Sequence, residues 1–303
     1  MLRLLVPALC TGLLLPVAAA DSSTWKLSLE GGSGYDSNLH RIREAEGEVS
    51  GIDAGPMLRS AARYQLAWRP GKGERLSLDL RGASKLFVVP EGQSENVGVV
   101  YLDGRYERYI GSSRATLGLH GSHYDVLDLR PFGEGVRPVS GRSFRTSQSE
   151  LSVTLPNREH RVSLLAGIRD FVYKPDSNLD WQGEHLGMRY ATMFWRGDPD
   201  NDEGAASIDL RAVYRVGLRA YEGRAFRNTC SDDQMVEPRC FVDIGENRSD
   251  LYHSLVLESI YTGEQIYSIL YGAQVIDSNS YGQTSVRQRV ELAMTSELPG
   301  SLF

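Results

Sequence analysis

From Ala206 to Ala220 the chain alternates without a break. Ala206, Ile208, Leu210, Ala212, Tyr214, Val216, Leu218 and Ala220 share one parity, and Asp209, Arg211, Arg215 and Arg219 share the other. A strand sends the two parities to opposite faces. A helix would spread the eight residues of the first parity all around its axis, so the spacing selects a strand. The same period marks about twelve segments, at 24–34, 57–68, 75–87, 98–108, 114–124, 144–155, 161–173, 185–196, 205–221, 250–261, 266–277 and 285–296. Most are longer than the usual strand of ~5–6 residues and suit a tilted membrane strand of ~9–11 residues with extensions.

Connections between these segments alternate in length. Pro70-Gly71-Lys72-Gly73, Ile110 to Ser113, Pro156-Asn157-Arg158-Glu159 and Thr262-Gly263-Glu264-Gln265 read as tight turns. Gly197 to Gly204 is a longer member of the same set. The stretches 35–56, 88–97, 125–143, 174–184 and 222–249 read as long loops. Short turns on one side and long loops on the other imply an up-and-down membrane barrel with the long loops outside.

Charge fixes which parity meets lipid. An Arg facing lipid at mid-membrane costs roughly 2–4 kcal/mol, so Arg211, Arg215 and Arg219 are expected to point inward. Arg59, Arg63, Arg287 and Arg289 join them on the inward parity, opposite carboxylates such as Glu150, Glu258 and Glu291. The other parity is apolar in most segments: Leu58, Tyr64, Leu66 and Trp68 in one, Val162, Leu164, Ala166 and Ile168 in another. Trp25, Trp68, Tyr109, Trp195 and Tyr261 fall near the short-turn ends, where an aromatic girdle belongs.

Composition bounds the remaining readings. The 303 residues carry 33 Lys+Arg against 39 Asp+Glu, a net charge of −6, which argues against nucleic acid as a partner. Mean hydropathy is −0.32, low enough for a soluble secreted β-protein but equally expected of a barrel in which only alternate residues meet lipid. Met1 to Ala20 reads as a secretory signal peptide, with Arg3, an apolar run and Ala18-Ala19-Ala20 before Asp21. Residues 21–303 then form the barrel domain. Cys230 and Cys240 share the 222–249 loop in an oxidising compartment and are expected to be bonded to each other.

Gly34-Tyr35-Asp36-Ser37-Asn38 after the first strand and the terminal Phe303 resemble features of Gram-negative outer-membrane β-barrel proteins. The resemblance covers essentially all of the mature chain. It implies an all-β, closed antiparallel barrel in the outer membrane, surrounded by lipid and lipopolysaccharide and inserted by barrel-assembly machinery. A monomer is expected.

Three functional readings stay open. In the first, the barrel passes small, anionic solutes along a basic ladder of Arg211, Arg215 and Arg219, helped by Arg59, Arg63, Arg287 and Arg289. In the second, it hydrolyses envelope lipid through His120 and Ser122, which share the inward face of one strand ~7 Å apart. Outer-membrane phospholipase A and the lipid A deacylases have a similar His-x-Ser pair. In the third, a closed barrel presents its loops to an external partner. The six histidines have no metal-ligand spacing, Asp198 to Glu203 reads as a solvated turn, and no nucleotide motif occurs, so neither cofactor nor metal is expected.

Overall fold

The computed structural model describes residues 24–36, 55–88, 96–110, 115–128, 144–155, 160–173, 180–197, 206–228, 241–280 and 285–298. Twelve strands run through them: β1 (Thr24–Asp36), β2 (Gly55–Trp68), β3 (Glu74–Phe87), β4 (Val97–Ile110), β5 (Ala115–Asp128) and β6 (Phe144–Leu155), followed by β7 (His160–Tyr173), β8 (Trp181–Arg196), β9 (Ser207–Asn228), β10 (Phe241–Thr262), β11 (Ile266–Ser278) and β12 (Ser285–Leu298). Each pairs antiparallel with its chain neighbour, and β12 closes onto β1 from Leu27↔Leu298 to Asp36↔Arg289. No sheet edge remains, which is the condition for a sheet to stand in lipid.

Register sets the size. A path taken perpendicular to the strands from Lys26 returns to β1 about sixteen residues further along, which for twelve strands means a tilt near 45° and a wall radius of roughly 12 Å. That width admits a lumen, which long side chains projecting from the wall narrow.

The wall is apolar outside and charged inside. Leu164, Leu186, Leu218 and Val286 are 57–65% exposed on the outer face. Glu150 is 2% exposed on the inner face. A soluble protein has the reverse arrangement, and the exposed apolar band identifies the outer wall as the lipid surface.

Two tight features fix local geometry at the short-turn end. The β2–β3 turn closes with Glu74 N–H donating to the Gly71 carbonyl at 3.1 Å, and Gly73 takes φ +78°, a left-handed conformation that glycine adopts without strain. A bulge between Met193 and Trp195 advances β8 by one residue, so Trp195 pairs with outward Ile208 and joins the outer aromatic girdle. Trp25 stacks with Tyr64, and Tyr261 packs on Tyr267, in the same girdle. Tyr109 instead lies on the lumen parity; Tyr106 takes the outward place and donates to Glu74 at 2.9 Å.

One expected loop is mostly strand. Within 222–249, β9 continues to Asn228 and β10 begins at Phe241. The hairpin therefore rises well past its neighbours. In the β9 extension exposed Glu222 and Arg224 take the outward parity and buried Gly223 and Ala225 the inward one, so the apolar-outward pattern that marks the lower strand is absent there. The signal peptide, Cys230, Cys240, Asp198 to Glu203 and Phe303 lie outside the described residues.

Candidate functional site

All seven arginines of the expected basic set point into the lumen, and nearly all meet a partner there. Arg59 of β2 bridges Glu30 of β1 and Glu291 of β12. Glu30 also accepts from Arg81 at 3.1 Å, and Arg289 reaches Glu291 at 3.1 Å. Asp36 collects Lys85 at 2.7 Å and the Arg287 Nε at 3.1 Å. Arg63 donates to Asp79 at 2.6 Å. These pairs span β12 to β3 and lock the seam at which the barrel closes.

A second centre sits on the other wall, around Glu150 of β6. Its Oε2 accepts from Arg215 of β9 at 2.9 and 3.1 Å and lies 3.3 Å from His185 Nε2 of β8. Its Oε1 faces Arg189 at 3.4 Å and His120 Nδ1 at 4.0 Å. Reaching β9 from β6 means passing over β7 and β8. Lumen-facing glycines clear that path. A Cβ at Gly167 would lie 2.7 Å from the His185 ring, one at Gly187 would lie 2.9 Å from Arg215 Cγ, and one at Gly217 would lie 2.8 Å from the Tyr252 ring. The side chains lie flat on bare backbone.

The ladder of β9 thus has three different rungs. Arg211, half-exposed, meets Glu258 at 3.5 Å near the short-turn end. Arg215 is tied to Glu150. Arg219 is buried between the rings of Trp181 and Tyr252, 4.6 and 4.3 Å from their centroids, where cation–π attraction takes the place of a carboxylate. Above it Arg248 lies 4.1 Å over the Tyr221 ring and donates to Asp250 at 2.8 and 3.0 Å, while Tyr221 donates to Asp250 at 2.6 Å.

His120 and Ser122 both face the lumen, as their parity requires, but His120 bonds elsewhere. His120 Nε2 pairs with Asp103, which also accepts from the Tyr101 hydroxyl at 2.7 Å, and Ser122 stands opposite Asp103 in the register. Asp103, His120 and Glu150 link the two charged centres into a belt around much of the wall. Among the described residues Arg105 and Arg161, also on the lumen face, have no carboxylate within ion-pair distance, and Arg105 stands near enough to Arg189 for their charges to repel.

Some lumen groups escaped the sequence reading. Glu30, Asp36 and Asp250 sit on inward parities that could have been read off their strands, whereas His185 at Glu150 and Trp181 under Arg219 depend on cross-strand reach, for which local spacing carries no signal.

No family model matches the chain, and no curated protein matches it. The fold resembles solved barrels at low identity. An outer membrane channel from Pseudomonas putida F1 is 8% identical with a TM-score of 0.44, over 93% of this chain and 100% of that one. The translocator domain of the autotransporter NalP from Neisseria meningitidis is 11% identical with a TM-score of 0.36, over 96% and 92%. An anion-selective porin from Comamonas acidovorans is 9% identical with a TM-score of 0.35, over 91% and 99%. The chain itself is a closed twelve-stranded antiparallel barrel with an apolar outer wall and a charged lumen.

Proposed function

We propose that the barrel is a narrow passage for small anionic solutes across the outer membrane. The observation that carries this reading is the charge on the lumen parity of β4 to β9, where Arg105, Arg161, Arg169, Arg189, Arg211, Arg215 and Arg219 outnumber Asp103, Glu107, Glu150 and Asp209. Arg189 and Arg215 converge on one of those carboxylates, Glu150. A wall with more fixed positive than negative charge concentrates anions in the adjoining water. The ion pairs hold the arginines in place and leave part of their field uncompensated. In this reading Arg211 is the solvent-facing rung of the ladder, and Arg215 and Arg219 brace the wall.

Refolded protein in a planar bilayer tests the idea. Current steps with an anion-favouring reversal potential are expected. Replacing Arg105, Arg161 and Arg211 together by Ser should move that potential toward zero while folding is kept, because none of the three holds a buried carboxylate. Unchanged selectivity would sink the anion reading, and silence from folded protein would favour a closed barrel that binds a partner through its loops. The same reading places lipid and lipopolysaccharide around the wall, makes barrel-assembly machinery the insertion route and treats one chain as the working unit.

A further inference from the structure

Three outward histidines each meet a hydroxyl on a neighbouring strand. His160 Nδ1 lies 2.9 Å from the Tyr190 hydroxyl and 3.0 Å from Thr192 Oγ1, His253 Nδ1 lies 2.7 Å from the Tyr214 hydroxyl, and His123 Nδ1 lies 2.9 Å from Ser147 Oγ. Among the described residues only His123 has a carboxylate at its other nitrogen, with Asp125 Oδ2 3.5 Å from Nε2. Register produces the arrangement: His123 and Asp125 are two apart on β5, and Ser147 of β6 is directly opposite His123. Hydroxyl, imidazole and carboxylate in series are the groups that turn a serine into a nucleophile, and they are recognised by geometry rather than by chain order.

We propose that Ser147, His123 and Asp125 form a serine hydrolase site on the lipid-facing wall, acting on acyl esters of membrane lipid. Access is direct, since the side chains of His123 and Asp125 are 39% and 38% exposed. The site lies toward the long-loop end, with Ser147 the fourth residue of β6, where outward polar groups cost little and water reaches the membrane surface. Immediately below it the register aligns Gly104, Gly121 and Ser149 across β4, β5 and β6. A Cβ at Gly121 would meet nothing within 4 Å. Leu119 and Leu151 stand exposed beyond that row, so the wall offers a shallow apolar trough where an acyl chain can lie with its ester at Ser147. Arg145, exposed on the same face and opposite Asp125, supplies positive charge for the developing oxyanion. Asp170 of β7 stands opposite Ser147 on its other side.

In the reaction Ser147 Oγ attacks the ester carbonyl carbon while His123 Nδ1 takes the serine proton. The carbon–oxygen bond to the lipid alcohol then breaks, and His123 returns the proton to that leaving oxygen. A water, deprotonated by His123, cleaves the acyl–Ser147 ester, releasing the fatty acid and restoring the serine. Asp125 acts as a positioning residue, holding the imidazole and balancing its charge. The inference does not depend on passage through the lumen.

The experiment uses the full barrel refolded into vesicles of phosphatidylethanolamine and phosphatidylglycerol, and into a second set containing lipopolysaccharide. A fluorophosphonate probe, with peptide mapping of the label, and fatty-acid release by mass spectrometry are the readouts. Label at Ser147 is expected, with release from one vesicle set, which identifies the lipid source. Ser147→Ala should abolish both, His123→Asn should lower release by about 10³-fold or more, and Asp125→Asn should lower it by roughly 10²–10⁴-fold and shift its pH profile. His253→Gln should behave as the parent. Folded protein that is unlabelled at Ser147 and releases nothing would overturn the site. Label at Ser122 would overturn it too, and label at Ser147 without release from either set would remove membrane lipid as the substrate.

Discussion

His120 and His123 stand three residues apart on β5 and face opposite sides of the wall. His120 is 13% exposed, with Asp103 at one nitrogen and Glu150 near the other. His123 is 39% exposed, with a serine at one nitrogen and an aspartate at the other. The first is a link between carboxylates, sealed among charged neighbours that no substrate can displace cheaply. The second carries the partners and the access that proton transfer to a nucleophile requires. Residue type does not separate them. Face and cross-strand partner do.

Several variants sharpen or break that contrast. The largest effect belongs to the hub beside His120: Glu150→Ala should destabilise the barrel by about 3–5 kcal/mol, because it leaves Arg189 and Arg215 without their buried counter-charge. Unfolding by urea in vesicles measures it, and a loss below 1 kcal/mol would mean that solvent already screens the hub. Next comes Gly167→Ala, whose new methyl would meet the Ser149 carbonyl at 2.5 Å and the His185 ring at 2.7 Å. A cost of roughly 1–3 kcal/mol is expected from overpacking, whereas Gly121→Ala, in open space on the lipid side, should be nearly silent in the same assay while narrowing the trough.

The histidines themselves follow. His120→Ala strips Asp103 of its imidazole partner and should cost about 1–3 kcal/mol. His123→Ala should change stability by under about 1 kcal/mol, since its partners are exposed and near the membrane surface. Equal losses at the two positions would erase the proposed division between structural and reactive faces. Smallest is Arg211→Ala, where the Glu258 pair is half-exposed and worth at most about 1 kcal/mol; its expected trace is in ion selectivity rather than in the unfolding midpoint.

The expected belt of arginines and the apolar outer band were both legible, because strand parity is a strictly local property and the cost of charge in lipid decides the face. The His-x-Ser pair shows the limit of the same logic. Parity correctly turned His120 and Ser122 to one side, yet His120 bonds Asp103, since the neighbouring strand presents a better partner than the i+2 residue does. His123 and Ser147 lie 24 positions apart, and no spacing in the chain announces their meeting.

By itself, the sequence determined the strand period, the alternation of short and long connections and the inward direction of charge. Each depends only on residues one or two apart and on the difference between water and hydrocarbon. Tertiary structure decided the closure of β12 onto β1, the extension of the β9–β10 hairpin, the convergence of two arginines on Glu150 and the apposition of Ser147 to His123. Those follow from register, and register is a property of pairs of strands, set when the whole wall closes.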